Sequence, residues 1–135
     1  MASYLVVGLE SSATKIVAIL IALNLKIIRS AEDWSGDWSV QDDINQVTHR
    51  SLPHGDDKYY ISSTEAGEYD YIVMVIRDWH CSLASKVATH QPDVGIAELE
   101  HMRGRQFLLD IFMEHQSKLQ VFSYETAYIL RKEYV

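Results

Sequence analysis

The opening stretch, YLVVGLESSATK followed by IVAILIAL, limits the possible folds more than any other part of the chain. Residues 4–7 form a short apolar, partly β-branched run, which predicts a buried strand. Gly8 and a cluster of small hydroxyl residues then mark a tight turn, and Ile16, Ile19, Leu20, Leu23 and Ile27 recur at helical spacing. A strand, a small-residue loop and a helix in that order aim free backbone N–H groups at an anion. Gly8 lets the chain turn without a Cβ, and Ser11, Ser12 and Thr14 add hydroxyl donors at the same point. The loop from Gly8 through Ser11, Ser12, Ala13, Thr14 and Lys15 therefore reads as a holder for the phosphate or sulfate end of a nucleotide. Against the pattern G-x-x-x-x-G-K-[ST], Ala13, Thr14 and Lys15 fall on the last three places. The second glycine is thus an alanine, and lysine and threonine are exchanged in order. An ordinary turn between strand and helix is the other reading of the same residues.

The remaining chain extends the pattern. Residues 70–76, DYIVMVI, give the clearest strand, and their unbroken apolar character suits a central parallel strand covered on both faces. Residues 45–51 and 118–123 read as shorter strands, with Leu52-Pro53-His54-Gly55 as a turn cluster. Helices are expected over about 81–89 and 94–115, separated near Pro92. Leu99, Met102, Leu108, Ile111 and Phe112 supply the apolar face of the longer one, and Gly104 weakens its middle. Its carboxylates Glu98, Glu100, Asp110 and Glu114 read as a solvated face. Residues 30–43 read as a surface connection pinned by Trp34 and Trp38, residues 56–68 as a mobile polar segment, and residues 124–135 as a loop into a final helix.

Strands alternating with helices predict a single α/β domain over residues 1–135, with a mainly parallel sheet of about four strands flanked by helices. In such sheets ligands bind at the carboxyl ends of the strands. That rule gathers Gly8 to Lys15, His49, Arg77 and Tyr124 along one edge.

Composition narrows the partners. A net charge of −7 argues against broad binding to nucleic acid or an anionic membrane, though not against one local anion pocket. The longest apolar run, residues 16–23, falls short of a membrane span, and its flanks do not fit a signal peptide. A single cysteine, Cys81, fits a reducing compartment, so a cytoplasmic location is expected. Cys81 itself reads as a packed helix residue and His80 as a turn residue. The six histidines show no metal-ligand spacing, and no metal is expected.

Three blocks, taken in order, resemble the nucleotide-dependent sulfotransferases, most closely the small sulfotransferase-like proteins of bacteriophages. Glu10-Ser11-Ser12-Ala13-Thr14-Lys15 lies over the family's P-K-S-G-T-T loop, with Ser12 and Thr14 matching, Ala13 at the glycine and Ser11 at the lysine. Val47-Thr48-His49-Arg50-Ser51-Leu52-Pro53 is similar to a strand ending K-T-H-x-P, with two extra residues before the proline. Ile72 to Arg77 resembles the strand-then-arginine block, with Ser85 eight residues later at the place of the family's serine. Val121-Phe-Ser-Tyr124-Glu125 is similar to a segment near the adenine site.

The resemblance implies a P-loop-type fold that binds 3′-phosphoadenosine 5′-phosphosulfate (PAPS) and transfers its sulfuryl group to a hydroxyl on a small molecule or glycan. It further implies that the loop and Tyr124 bind the nucleotide, that Arg77 and Ser85 hold the 3′-phosphate, and that His49 is the base. A histidine can take a proton near neutral pH, and a guanidinium can pair with a phosphate in two-pronged fashion. On the residues alone, His49 reads first as a surface or turn histidine, Arg77 can instead be an ion-pair partner of Asp78 or Asp70, and Ser85 an exposed helix serine, with Ser82 the other hydroxyl on that face. With serine at the lysine position, Lys15 or Arg50 would have to stabilise charge on the leaving oxygen. The family's C-terminal basic segment is not apparent, which leaves open completion of the pocket by a second subunit in a homo-oligomer. Two other readings stand beside this one: a catalytically inactive nucleotide-binding or interaction protein on the same fold, and a P-loop kinase for a small molecule or nucleotide.

Overall fold

The computed structural model describes residues 1–34 and 38–125. In chain order these form β1 (Ala2–Leu9), α1 (Thr14–Asn24), β2 (Ser39–Gln41), β3 (Asn45–Leu52) and α2 (Ser63–Ala66). They continue with β4 (Tyr71–Ile76), α3 (Trp79–Thr89), α4 (Val94–Glu114) and β5 (Leu119–Ser123). The expected final helix over 124–135 falls almost wholly outside the described residues.

The protein is an α/β structure built on a mixed, mostly parallel five-stranded sheet in the order β2-β3-β1-β4-β5. β1 runs parallel to both neighbours, with Gly8 level with Ser51 of β3 and with Val75 of β4. β4 and β5 are also parallel, and only β2 is antiparallel to its neighbour β3. β2 adds a strand to the four expected. It comprises only three residues on the sheet edge, within a segment whose acidic, tryptophan-containing composition reads as a connection.

Alternate residues of β1 enter opposite layers. Leu5 and Val7 join Leu52, Ile72, Met74, Leu108 and Ile111 beneath α4, while Val6 joins Val17, Ala18, Ala22, Val47 and Val75 beneath α1. Leu5, Val6 and Val7 are all fully buried, which explains why the run is apolar without alternation.

α4 meets the sheet through small residues. Its buried positions are Ala97, His101, Gly104, Leu108 and Ile111, whereas Leu99 and Met102 are 67% and 55% exposed. The expected apolar face is therefore rotated at its N-terminal half. The cause is close approach: a Cβ on Gly104 would lie 2.8 Å from Leu9 Cδ2 and 3.1 Å from the Leu52 carbonyl oxygen. Two further expectations change. The polar segment 56–68 contains α2, capped by Ser62, whose hydroxyl accepts the Glu65 amide. Cys81 is exposed in the first turn of α3 rather than packed.

No helix among the described residues is long and apolar enough to cross a membrane.

Candidate functional site

From β1 the chain passes through α1 to β3 on one side, then reaches β4 on the other. The carboxyl ends of β1 and β4 thus flank the point where the winding reverses, which is where open α/β sheets bind ligands. A cavity of about 520 Å³ opens there. Leu9, Ser12, Arg77, Ser82, Arg105 and Phe112 are among its lining residues, with apolar walls completed by Met74 and Val121. Its volume lies within the range of small-molecule sites, and its lining is apolar with a few convergent polar groups.

The loop between β1 and α1 is tightly made. Ser12 sends both its amide, at 3.0 Å, and its hydroxyl to the Leu9 carbonyl, and is 2% exposed. Gly8 is required by this turn: a Cβ there would stand 2.5 Å from Ser12 Oγ and 2.7 Å from the Val75 carbonyl oxygen. Ser11 and Ala13 both take positive φ, 69° and 73°, a region that costs a side chain roughly 1–2 kcal/mol. Ala13 is the N-cap of α1 and provides no side-chain cap. A left-handed residue followed by helical ones turns successive N–H groups toward one point, and the first-turn amides of a helix have no intrahelical acceptor. This is chemistry suited to an oxyanion.

Arg77, at the end of β4, joins the loop directly. Its Nη1 donates to the Ser11 carbonyl at 2.8 Å, and its guanidinium lies 4.0 Å from the ring centre of Tyr124. Neither carboxylate considered as its partner pairs with it. Asp78 caps α3 by accepting the Cys81 amide, and Asp70 accepts the Ser3 amide. Arg77 and Tyr124 are thus brought together at the loop. Ser85 is not among the cavity-lining residues, and its carbonyl accepts the Thr89 hydroxyl. Ser82, one turn earlier, lines the cavity and bonds to the Trp79 carbonyl at 3.1 Å.

A second group surrounds the end of β3. The His49 ring lies 5.8 Å from Trp34 and 5.3 Å from His54, with Nδ1 buried and unpartnered. Burial first, then the charges of His54, Lys15 and Arg50, push its pKa down from 6.5 to about 4. The imidazole is therefore neutral at pH 7, and exposed Lys15 is near enough to act on it. His54 Nδ1 accepts the Ser51 amide at 3.2 Å, which assigns its proton to Nε2. Burial and the Arg50 charge lower its pKa too. Arg50 lies 3.9 Å above the Trp38 ring and 5.7 Å from Tyr59, whose hydroxyl donates to Glu65. Trp34 is buried among the α1 layer, while Trp38 is half exposed against Arg50.

Beneath the loop lies an arrangement that charge patterning did not reveal. Lys86 of α3 is fully buried, with Nζ 2.7 Å from Glu10 Oε1 and 3.6 Å from Glu100 Oε1. His101 Nε2 meets the Ser82 hydroxyl at 3.2 Å, and burial with the Lys86 charge pushes the His101 pKa down to about 4. Glu100 is therefore part of an internal network and not of a solvated face. Among the described residues no group of three or more His, Cys, Asp or Glu side chains is placed to hold a metal ion.

No family model, no curated protein and no solved structure matches the chain.

Proposed function

We propose that the protein binds PAPS at the β1–α1 loop and transfers its sulfuryl group to a hydroxyl acceptor, with His49 as general base. The observation that carries this reading is the meeting of the loop, Arg77 and the cavity at the reversal point of the sheet. In the proposed complex the Ala13 amide and the amides that open α1 hold the 5′-phosphosulfate, the Ser12 amide being taken by the Leu9 carbonyl. Arg77, stacked on Tyr124, serves the 3′-phosphate, with Ser85 or the cavity-lining Ser82 as the accompanying hydroxyl.

Sulfuryl transfer, like phosphoryl transfer, rests mainly on in-line positioning and on stabilising charge at the leaving oxygen. Lys15, whose charge is felt at His49, takes that second task in place of the loop lysine. A neutral imidazole can accept the acceptor's proton; burial chiefly holds its proton affinity low, and the negative charge of a bound donor offsets the cations that add to this.

A second reading, nucleotide binding without turnover, is favoured by one specific feature. The Ser12 hydroxyl and an Arg77 N–H are both engaged with the loop's own carbonyls. For a kinase, a carboxylate must organise Mg²⁺, and Glu10 at the start of the loop is paired with Lys86.

Thermal shift with adenosine 3′,5′-bisphosphate against ATP–Mg²⁺ separates these readings. At a hundred times its dissociation constant a ligand adds about 2.7 kcal/mol. Stabilisation by the bisphosphate alone supports the sulfotransferase, and stabilisation by ATP–Mg²⁺ supports the kinase. Stabilisation by neither sinks the nucleotide-binding proposal. Once bisphosphate binding is established, His49→Ala assayed without it is expected to lower transfer from PAPS to phenolic or sugar hydroxyls by about 10²- to 10⁴-fold, with bisphosphate affinity nearly unchanged. Absence of transfer by the unaltered chain would leave the second reading.

A further inference from the structure

Arg50 is held in a way that the donor site does not explain. Its Nε and Nη1 are buried and have no hydrogen-bond partner, while its guanidinium is stacked on Trp38 and faces Tyr59. No ion pair to Arg50 exists among the described residues, although Asp57 and Glu65 lie in the neighbourhood of His54 and Tyr59. Glu65 is occupied by the Tyr59 hydroxyl.

Buried donors without acceptors and a partly desolvated cation without a counter-charge are both costly, so native proteins keep few of them. The aromatic faces offset part of the cost of the charge but leave the in-plane N–H groups of the guanidinium unmet. They fix its plane instead, and a fixed guanidinium is a preset receptor for a planar or tetrahedral oxyanion. Of the acidic groups nearby, Glu65 is taken by the Tyr59 hydroxyl and Asp57 forms no ion pair with Arg50; His54 has its Nδ1 taken by the Ser51 amide, and Lys15 adds a second cation on the side of His49. Arg50 stands level with Val7 of β1, one residue before the level of Gly8, and is next in sequence to the proposed base.

We infer that Arg50, braced by Trp38 and Tyr59, binds an oxyanion carried by the acceptor, so that the molecule receiving the sulfuryl group is itself anionic: a sulfate, phosphate or carboxylate compound with a free hydroxyl. This inference deepens the sulfuryl-transfer reading and rests on it. The shared chemistry is an oxyanion on the acceptor, at a subsite separate from the donor's phosphates.

The test uses the whole chain, ¹⁵N-labelled, and follows the Arg50 Nε–H resonance (identified by its loss in Arg50→Lys) and the Trp38 indole N–H. Sodium sulfate, sodium phosphate and sodium glucuronate are titrated separately against sodium chloride at constant ionic strength. Comparing the three distinguishes the head groups. At least one should move the Arg50 resonance saturably, and in Arg50→Lys the affinity read from Trp38 should fall tenfold or more. Saturable binding should persist with adenosine 3′,5′-bisphosphate bound. No saturable movement with any of the three overturns the inference. If the bisphosphate itself moves Arg50 and abolishes the response, Arg50 belongs to the donor site, and the inference falls while the proposed function stands. If the bisphosphate binds nowhere, the sulfuryl-transfer reading fails and the assignment to an acceptor fails with it, whatever the anions do.

Discussion

Replacing Lys86 with methionine tests whether the loop is supported from below by charge. Lys86 Nζ lies 2.7 Å from Glu10 Oε1 and 3.6 Å from Glu100 Oε1, with the lysine fully buried and Glu10 nearly so. At an effective dielectric constant of about 20, Coulomb attraction is about 6 kcal/mol at the shorter distance and about 5 kcal/mol at the longer. Desolvation costs several kcal/mol per ion and offsets most of this gain, so the intact network contributes little net stability. Removing the ammonium alone is different, because Glu10 is left buried. Its other basic neighbour is His90, with Nδ1 at 3.8 Å on a half-exposed side chain. Methionine preserves the packing of the lysine stem, so the expected loss is the uncompensated charge, about 3–5 kcal/mol. For a chain of this size that lowers Tm by roughly 10–20 °C. Urea unfolding followed by circular dichroism at pH 7.5 gives the free energy. The double variant Glu10→Leu/Lys86→Met should recover at least half the loss, because Glu100 retains Lys58 at 3.6 Å. A loss under about 1 kcal/mol in Lys86→Met, or a double variant as unstable as the sum of its singles, would refute the reasoning.

Gly8→Ala forces a Cβ against Ser12 Oγ and the Val75 carbonyl, and should cost about 1–3 kcal/mol in urea unfolding. Ala13→Gly should stabilise the chain by about 0.5–1 kcal/mol, because relief of left-handed strain at φ 73° exceeds the added freedom of the unfolded glycine; a lower midpoint would contradict this. His49 and His101, both depressed from 6.5 to about 4, bind fewer protons folded than unfolded between those values. Their contribution is complete above about pH 6.5 and is lost as pH falls through about 4, so the urea midpoint should decline over that window and decline less in His49→Gln.

The parallel strands were legible because both faces of β1 and β4 are covered, and double burial writes itself as an unbroken apolar run. β2 left no comparable mark, since three residues on an edge need no apolar pattern. In α4 the large residues misled: the contact with the sheet is so close that Gly104 and Ala97 occupy it, while Leu99 and Met102 face outward. The loop, His49, Arg50 and Arg77 could be picked out by type and by position at strand ends. Lys86 could not, because a lysine on a helix reads as surface, and its partners Glu10 and Glu100, which make burial tolerable, are brought to it only by the fold. The Ser62–Glu65 cap of α2 was a visible signal, in a stretch whose polarity reads as loop.

Because the β1–α1 bend is clasped by an arginine from the side and a sunken ammonium from underneath, its shape is settled when the chain folds and not when a guest arrives. Two kinds of defect follow. Loosening the clasp should weaken affinity for the proposed ligand and melting temperature together, whereas altering exposed lining residues such as Arg105 or Val121 should change affinity while thermal resistance holds steady.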